Sequence, residues 1–542
     1  MFPRGIVSLY SFQLPAALVA KLREQHFSPL GLLGWFWQTK SFRFPARLAD
    51  ADQSVMVLLW LGMLAQIALG IGFLVDWARF GGAGTWEFGA ALLLSYPLVW
   101  VHLLAVGASI GWLVYFLLHP KKAGRALVCG VLERQVKRLR LRHDFKVVAV
   151  AGSVGKTSTK LAIADLLSQG LRVRHQTGNY NDRVTVPLVF FGHEEPNILN
   201  ALAWLRIFRV NSRVIKKPYP YDVVVVELGT DAPGSMAAFA YTRPDITVVT
   251  AVSPEHMEFF GTLDAVAAEE LTVFDYSLQV LVNADDIAGK YLAGREFAAY
   301  SLESKQAEYF ATAKPQGLDG QHMDIAAPSG EIAADVSYLG AQGAKFALAA
   351  AAAADMLGVK QVDIAAGLPK LRAFAGRMQV LPGVSDSTLI DDTYNASPLA
   401  VCAALDVVYA AKVPQRVAIL GSMNELGDYS QQAHQEVGAY CDPGKLDVVV
   451  TIGRDAEKWL APAAKKRGCT VRSFANPYEA GEFVRAQLQS GALVLAKGSQ
   501  NGVFAEEALK ILLANPKDAA KLVRQSGYWL RLKAQQFPTP SK

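Results

Sequence analysis

The sequence predicts an α/β protein: an α-helical membrane hairpin, then a P-loop domain on a parallel sheet, then a Rossmann-like domain. Three observations predict it. Two long uncharged stretches lie near the N-terminus, at 55–75 and 88–118. The β-branched run KVVAVA, at 146–151, leads through GSVGKTSTK into an amphipathic helix. From Arg416 onward, RVAILG, DVVVTIG and LVLAKG read as buried parallel strands separated by helices.

A length of 542 residues with 52% hydrophobic content supports two or three domains with cores of their own. Charged residues at 19% and aromatic residues at 10% exclude a disordered chain or a collagen-like rod. Lys and Arg number 54 against 48 Asp and Glu, a net +6 that is too mild to point to a nucleic-acid partner, and none is expected. The mean hydropathy of +0.20 is high for a soluble enzyme, and the excess is local. Four separated cysteines without a CxxC pair fit reduced, buried thiols.

The run VMVLLWLGMLAQIALGIGFLV, at 55–75, carries no charge and is long enough to cross a hydrocarbon core of ~30 Å. A second span is expected over 88–118, interrupted by Pro97. Arg79 is the single basic residue between them, whereas basic residues crowd both flanks, from Arg4 to Arg47 and from Lys121 to Lys146. The positive-inside bias therefore expects a two-span protein of the inner (cytoplasmic) membrane with both ends in the cytoplasm. The expected organisation is a cytosolic segment at 1–52, a membrane region at 53–120 and a basic linker at 121–143. A central domain that opens with the glycine-loop motif follows at 144–375 and a C-terminal domain at 376–542. The linker run VLERQVKRLRLRH reads either as a helix on anionic headgroups or as a solvated connector.

Strand, glycine loop and helix are the setting a phosphate loop requires. Backbone amides converge on the phosphates at the helix N-terminus, Lys156 neutralises them, and the Thr157 hydroxyl is placed to ligate Mg²⁺. The usual first glycine is Val150 here, so the loop is a shortened GxxGK[ST] form built from Gly152, Ser153, Gly155, Lys156, Thr157 and Ser158. In DVVVVELG four consecutive valines indicate a strand covered on both faces, and Glu227 emerges at its C-terminal end. A carboxylate there suits a second Mg²⁺ contact. Another strand, ITVVTAV, ends near His256.

Together with these, TGNYNDRVTVPL, EHMEFFGTLDAVA, VNADD, GRM, IDDTYNASP, ILGSMNELGDYSQQAHQEVG and VLAKGSQ stand in an order that resembles the Mur ligases. The resemblance is nearest to the MurF type, which joins D-alanyl-D-alanine to a UDP-muramoyl-tripeptide, and it covers roughly residues 145–505. It implies an ATP- and Mg²⁺-dependent amide ligase of peptidoglycan precursor synthesis. ATP phosphorylates a carboxylate, and an amine then attacks the acyl phosphate. By the same resemblance Lys156 and the loop amides hold the β- and γ-phosphates, and Thr157 and Glu227 hold one Mg²⁺. His256 helps hold a second, Asn179 and Asn181 lie near the phosphates and the substrate carboxylate, and Arg377 and Asp392 close onto the nucleotide. Asn395, Lys497 and Ser499 serve the incoming amine substrate.

Four positions depart from the family pattern. Glu270 stands where a carbamylated lysine usually ligates Mg²⁺, and it is expected to supply that charge directly. Thr185 replaces a glycine of the NNxxG element, and Gln342 and Gly343 replace a His-Asn pair associated with adenine. Membrane spans occupy the place of the small domain that grips the uridine-linked sugar. The expected partners are therefore muramyl-peptide and D-alanyl-D-alanine-like substrates, membrane lipid and membrane cell-wall enzymes. Two alternatives stay open: the same chemistry on a lipid-linked muramyl-peptide or on poly-γ-glutamate, and a non-catalytic membrane P-loop switch driven by ATP.

Overall fold

The computed structural model describes residues 118–537 except 231, 255 and 256, together with the isolated positions 68, 71, 72, 75 and 79. The chain divides into two compact units. The smaller comprises residues 1–130 and 197–204, and the larger comprises 131–196 and 205–542.

The expected membrane hairpin, and with it the two-span location in the inner membrane, is corrected. Among the described residues no helix is long and apolar enough to cross a membrane. The longest described helix, Pro120–Arg142, spans 23 residues but carries eight lysines and arginines at its two ends, which a hydrocarbon core does not tolerate. The stretches 55–75 and 88–118 lie outside the described residues apart from Ala68, Ile71, Gly72, Val75 and Leu118. The membrane-lipid and membrane-enzyme partners rested on those spans and fall with them. Within the larger unit, Val136 and Leu139 of the basic run are fully buried in an apolar core. The run is therefore a packed core helix, neither a headgroup-bound one nor a freely solvated one.

The larger unit contains two sheets. The first has nine strands: β1 Lys146–Ala151, β2 Val173–Arg174, β3 Val223–Glu227, β4 Ile246–Val249, β5 Gln279–Asn283, β6 Ala298–Ser301, β7 Tyr309–Pro315, β8 Gln321–Ala327 and β9 Gly330–Val336. Their order is β2-β3-β1-β4-β5-β6-β7-β8-β9. Pairing is parallel from β2 to β7 and antiparallel in the β7–β8 and β8–β9 hairpins. All five residues of β3 are buried, as the valine run predicts. Side chains alternate between two cores. Val148, Val150, Val223 and Val225 face one, and Val147, Ala149, Val224 and Val226 the other. The antiparallel end departs from the all-parallel expectation. In β9 exposed and buried residues alternate, the mark of a sheet with one solvated face.

The phosphate-loop helix, Lys156–Leu167, packs against Gly340–Met356, whose run from Ala347 to Ala354 is buried throughout. Alanines leave no side chain beyond Cβ, so the two helices approach closely.

The second sheet comprises β10 Gln379–Pro382, β11 Thr388–Asp392, β12 Arg416–Gly421, β13 Val448–Ile452, β14 Val471–Phe474 and β15 Leu493–Lys497. Its order is β10-β11-β15-β12-β13-β14, parallel except for β10. The three expected strands after Arg416 are β12, β13 and β15, and apolar cores cover both faces. No disulfide joins the cysteines; Cys129, Cys441 and Cys469 are buried and Cys402 is half-buried.

Enlarging the alanine face tests the helix contact. Ala350 is fully buried, so Ala350→Leu should lower the unfolding free energy by about 1–3 kcal/mol, read from urea denaturation.

Candidate active site

The site begins where β1 ends. The chain turns through 152–155 with φ of +113° at Gly152 and +86° at Gly155. A Cβ at Gly152 would stand 2.5 Å from Thr250 Oγ1 and 2.9 Å from the Ala251 amide nitrogen, so no other residue fits this turn. The loop is tied to the end of β4: Ser153 N donates to Ala251 O at 2.9 Å, and Thr250 Oγ1 donates to Val154 O at 2.6 Å. Beneath it, Gly152 N donates to Glu270 Oε2 at 2.7 Å, and Glu270 is only 1% exposed. Glu270 is thus a buried anchor of the phosphate loop, not a solvated helix residue.

Helix Lys156–Leu167 presents three functional side chains. Lys156 folds back onto the Gly152 and Ser153 carbonyls. The Thr157 hydroxyl donates to Glu227 Oε1 at 3.2 Å. One turn on, Lys160 Nζ lies 3.2 Å from Glu227 Oε2 and donates to Gly178 O at 3.0 Å. Asn181 Nδ2 adds a bond to Glu227 Oε1 at 3.3 Å. Ser158 is buried in the helix's first turn. In the loop that carries Asn179 and Asn181, Asp182 Oδ1 accepts the Val184 and Thr185 amides at the entry to the helix Thr185–Phe191. Thr185 in place of glycine therefore opens a helix.

Mg²⁺ can be tested against this donor set. The Lys160–Glu227 ion pair lacks hydrogen-bond geometry, and Oε2 of the buried Glu227 has no hydrogen-bond partner. A carboxylate oxygen left unbonded beside a threonine hydroxyl suits Mg²⁺, which takes one or two protein ligands and completes its shell with phosphates and water. Among the described residues no group of three or more His, Cys, Asp and Glu side chains assembles, so these residues alone build no complete cage. His256, the expected ligand of a second ion, lies outside the described residues.

Asn179, Asn181, Glu227, Lys156 and Thr157 form one wall of a cleft of about 260 Å³. The opposite wall comes from the second sheet's half and includes Arg377, Tyr394, Asn395, Ser397, Asn424 and Glu425. The Arg377 guanidinium sits 4.3 Å above the Tyr394 ring, and its buried Nε has no hydrogen-bond partner. Asp392, Lys497 and Ser499 stand behind this wall. Lys497 Nζ donates to Asp392 Oδ2 at 2.6 Å and to Asn395 O at 3.1 Å. Burial lowers the Lys497 pKa against the opposing pull of Asp392. The Ser499 hydroxyl donates to Asn395 Oδ1 and accepts the Asn424 amide, each at 3.0 Å. Ser499 is fully buried and Lys497 2% exposed, so both act by fixing Asn395 and Asn424.

At the departed adenine positions, Gly343 lies against Tyr338, where a Cβ would approach within 2.8 Å, and Gln342 is half-buried. Two turns of chemistry escaped sequence reasoning: Lys160, four residues after Lys156 on the same helix face, and Tyr394 with Asn424 and Glu425, which sit inside the quoted strings DDTYN and MNELG.

Two tests follow from these bonds. Lys160→Met leaves the buried Glu227 carboxylate without its cation and should destabilise the fold by about 3–5 kcal/mol, measured by chemical denaturation. Asp391, fully buried, accepts the Thr393 and Gly376 amides, and burial pushes its pKa up to about 6, helped by the charge of Glu506. A native pKa above the unfolded value means the native state holds the extra proton. Its contribution should therefore fall by about 3 kcal/mol as pH rises from ~4 to ~6. Asp391→Asn should flatten that part of the stability–pH curve.

The family model described as Mur ligase middle domain matches residues 150–354. That described as Mur ligase, glutamate ligase domain matches residues 376–500. The UDP-N-acetylmuramoyl-tripeptide–D-alanyl-D-alanine ligase of Bacillus subtilis is 27% identical over 387 residues, covering 68% of this chain and 76% of its own. The Escherichia coli enzyme of the same name is 28% identical over 390 residues, covering 70% and 79%. Among solved structures, MurF ligase from Thermotoga maritima in complex with ADP aligns with a TM-score of 0.58 at 23% identity, covering 72% of this chain and 84% of that one. This likeness shows a shared fold.

Proposed function

This chain belongs to the Mur ligase family of ATP-dependent, ADP-forming ligases, and we propose that it joins a muramoyl-tripeptide carboxylate to the amine of D-alanyl-D-alanine in peptidoglycan synthesis. The observation that carries this reading is the single cleft with the phosphate loop on one wall and Arg377, Tyr394 and Asn395 on the other. Amide formation by acyl phosphate needs the γ-phosphate, the carboxylate and the amine within one enclosure, and two facing walls supply it. The names of the Bacillus subtilis and Escherichia coli relatives support the choice of substrates.

In the proposed sequence the tripeptide carboxylate attacks the γ-phosphorus and ADP leaves. The D-alanyl-D-alanine amine then attacks the acyl carbon, loses its proton and expels phosphate. Lys156, released from the Gly152 and Ser153 carbonyls, and the amides of 153–157 hold the phosphates. Mur ligases use Mg²⁺, and Thr157 and Glu227 would hold it, where it offsets charge on the phosphoryl oxygens. Asn179 and Asn181 orient the carboxylate, and Arg377, with Nε free of protein partners, faces the transferring group from the other wall. Glu270, anchored on the Gly152 amide, supplies the negative charge that a carbamylated lysine otherwise brings.

Incubating the full chain with ATP, Mg²⁺, UDP-muramoyl-tripeptide and D-alanyl-D-alanine should give the pentapeptide product by mass spectrometry, and Lys156→Ala should give none. ADP release that answers only to a different acceptor would overturn the substrate assignment. Glu270→Gln should abolish turnover while bicarbonate leaves the wild type unchanged; normal turnover in that variant would remove Glu270 from the mechanism.

A further inference from the structure

The family matches end at residue 500, and the chain beyond it returns to the cleft wall. The Arg524 side chain is 6% exposed, and the residue adopts a φ of +56°, which side-chain-bearing residues seldom do. Its guanidinium fork engages two elements at once. Nε and Nη2 each donate to the Glu506 carboxylate at 2.8 Å, Nη1 donates to Tyr394 O at 3.0 Å, and Nη2 also donates to Thr393 O. Lys533, 1% exposed on the helix Gly527–Gln536, holds the arrangement from behind. It donates to Arg524 O at 2.9 Å and to Glu507 Oε1 at 2.6 Å, and lies 2.9 Å from Glu506 Oε1. The neighbouring Val523 packs on Gly376, since a Cβ there would lie 2.7 Å from its Cγ1.

We propose that Arg524 is a positioning residue for the amide-forming cleft, fixing the backbone of Thr393 and Tyr394 so that Tyr394 carries Arg377 and Asn395 faces the site; this rests on the ligase reading above. Arg524 pulls the two carbonyls away from the cleft, and the Tyr394 ring that follows supports Arg377 at 4.3 Å. Asn395 is the residue to which Lys497 and Ser499 also bond. Three independent ties thus converge on 393–395 from outside the cleft. A planar fork with five donors serves a carboxylate and two carbonyls together; an ammonium on a flexible stem reaches only part of that set. The role is one of placement, because Arg524 is absent from the cleft lining.

Arg524→Lys keeps the charge opposite Glu506 and loses the fork. It should reduce turnover per bound nucleotide at least tenfold, while the equilibrium ATP dissociation constant stays within threefold, because the phosphate loop is untouched. Amide hydrogen exchange should quicken at Thr393, Tyr394 and Asn395 and stay unchanged in Lys156–Leu167. Unaltered exchange at 393–395, unaltered turnover per bound nucleotide, or loss of ATP binding in proportion to turnover would each overturn the proposal. Should Arg524→Lys fail to fold, the double variant Arg524→Gln/Glu506→Gln, which leaves neither partner's charge unmatched, carries the same measurements. A wild type that binds ATP and makes no amide would refute the ligase reading, and the exchange data would still decide whether Arg524 fixes the loop.

Discussion

Glu227 is a carboxylate taken out of water at the end of a strand made wholly of buried residues, and three side chains from two segments meet on it. Thr157 reaches it from the phosphate-loop helix, Lys160 from one turn further on, and Asn181 from the loop that follows β2. An isolated charge at such depth is costly by several kcal/mol, so the partners are held as firmly as the charge needs them. Lys160 passes the constraint on by bonding the Gly178 carbonyl, and Asn181 O accepts the Gly229 amide just beyond β3. Glycine at 229 permits that approach, since a Cβ there would lie 2.7 Å from Asn181 Nδ2. The phosphate-binding and carboxylate-facing parts of the cleft are thereby referenced to one buried anion.

The facing wall follows a different plan. Asp392 and Lys497 are register partners across β11 and β15, so their ion pair is set by strand pairing itself. With Ser499 they form a buried layer behind Asn395 and Asn424, and the groups that reach the cleft are carried on that layer. Residues that touch ligands and residues that place them are thus separated by depth, a common way to hold a site to within a fraction of an ångström.

Much of this was legible in the sequence where burial writes a continuous pattern. KVVAVA, VVVVE and the three strands after Arg416 are apolar because both faces are covered, and the glycine loop is marked by residues no other geometry needs. The β7–β9 hairpins were not foreseen, because their alternation is short and punctuated by polar residues. Lys160 and Arg524 were missed for a different reason. Each acts on a partner far along the chain, Glu227 and the 393–394 carbonyls, and nothing in local spacing marks a lysine or arginine as buried. The expectation of membrane spans came from length and hydropathy alone, and the described helices do not support it. The basic run at 131–143 misled in the same way: its charges are conspicuous, whereas the core contacts of Val136 and Leu139 depend on strands that come later.

The strand orders carry a consequence for biosynthesis. β1, which bears the phosphate loop, lies between β3 and β4, so it is not paired on both sides until residues near 249 have left the ribosome. β15 lies between β11 and β12, so the second sheet has no centre until residue 497 is available. The second sheet is thus closed by a late arrival, and contacts of such long sequence separation form slowly. A nascent chain therefore exposes the apolar edges of β11 and β12 until β15 arrives, the period in which chaperones are most needed. The cleft, whose far wall depends on Asn395 and Gln500, cannot be complete before residue 500 has been made.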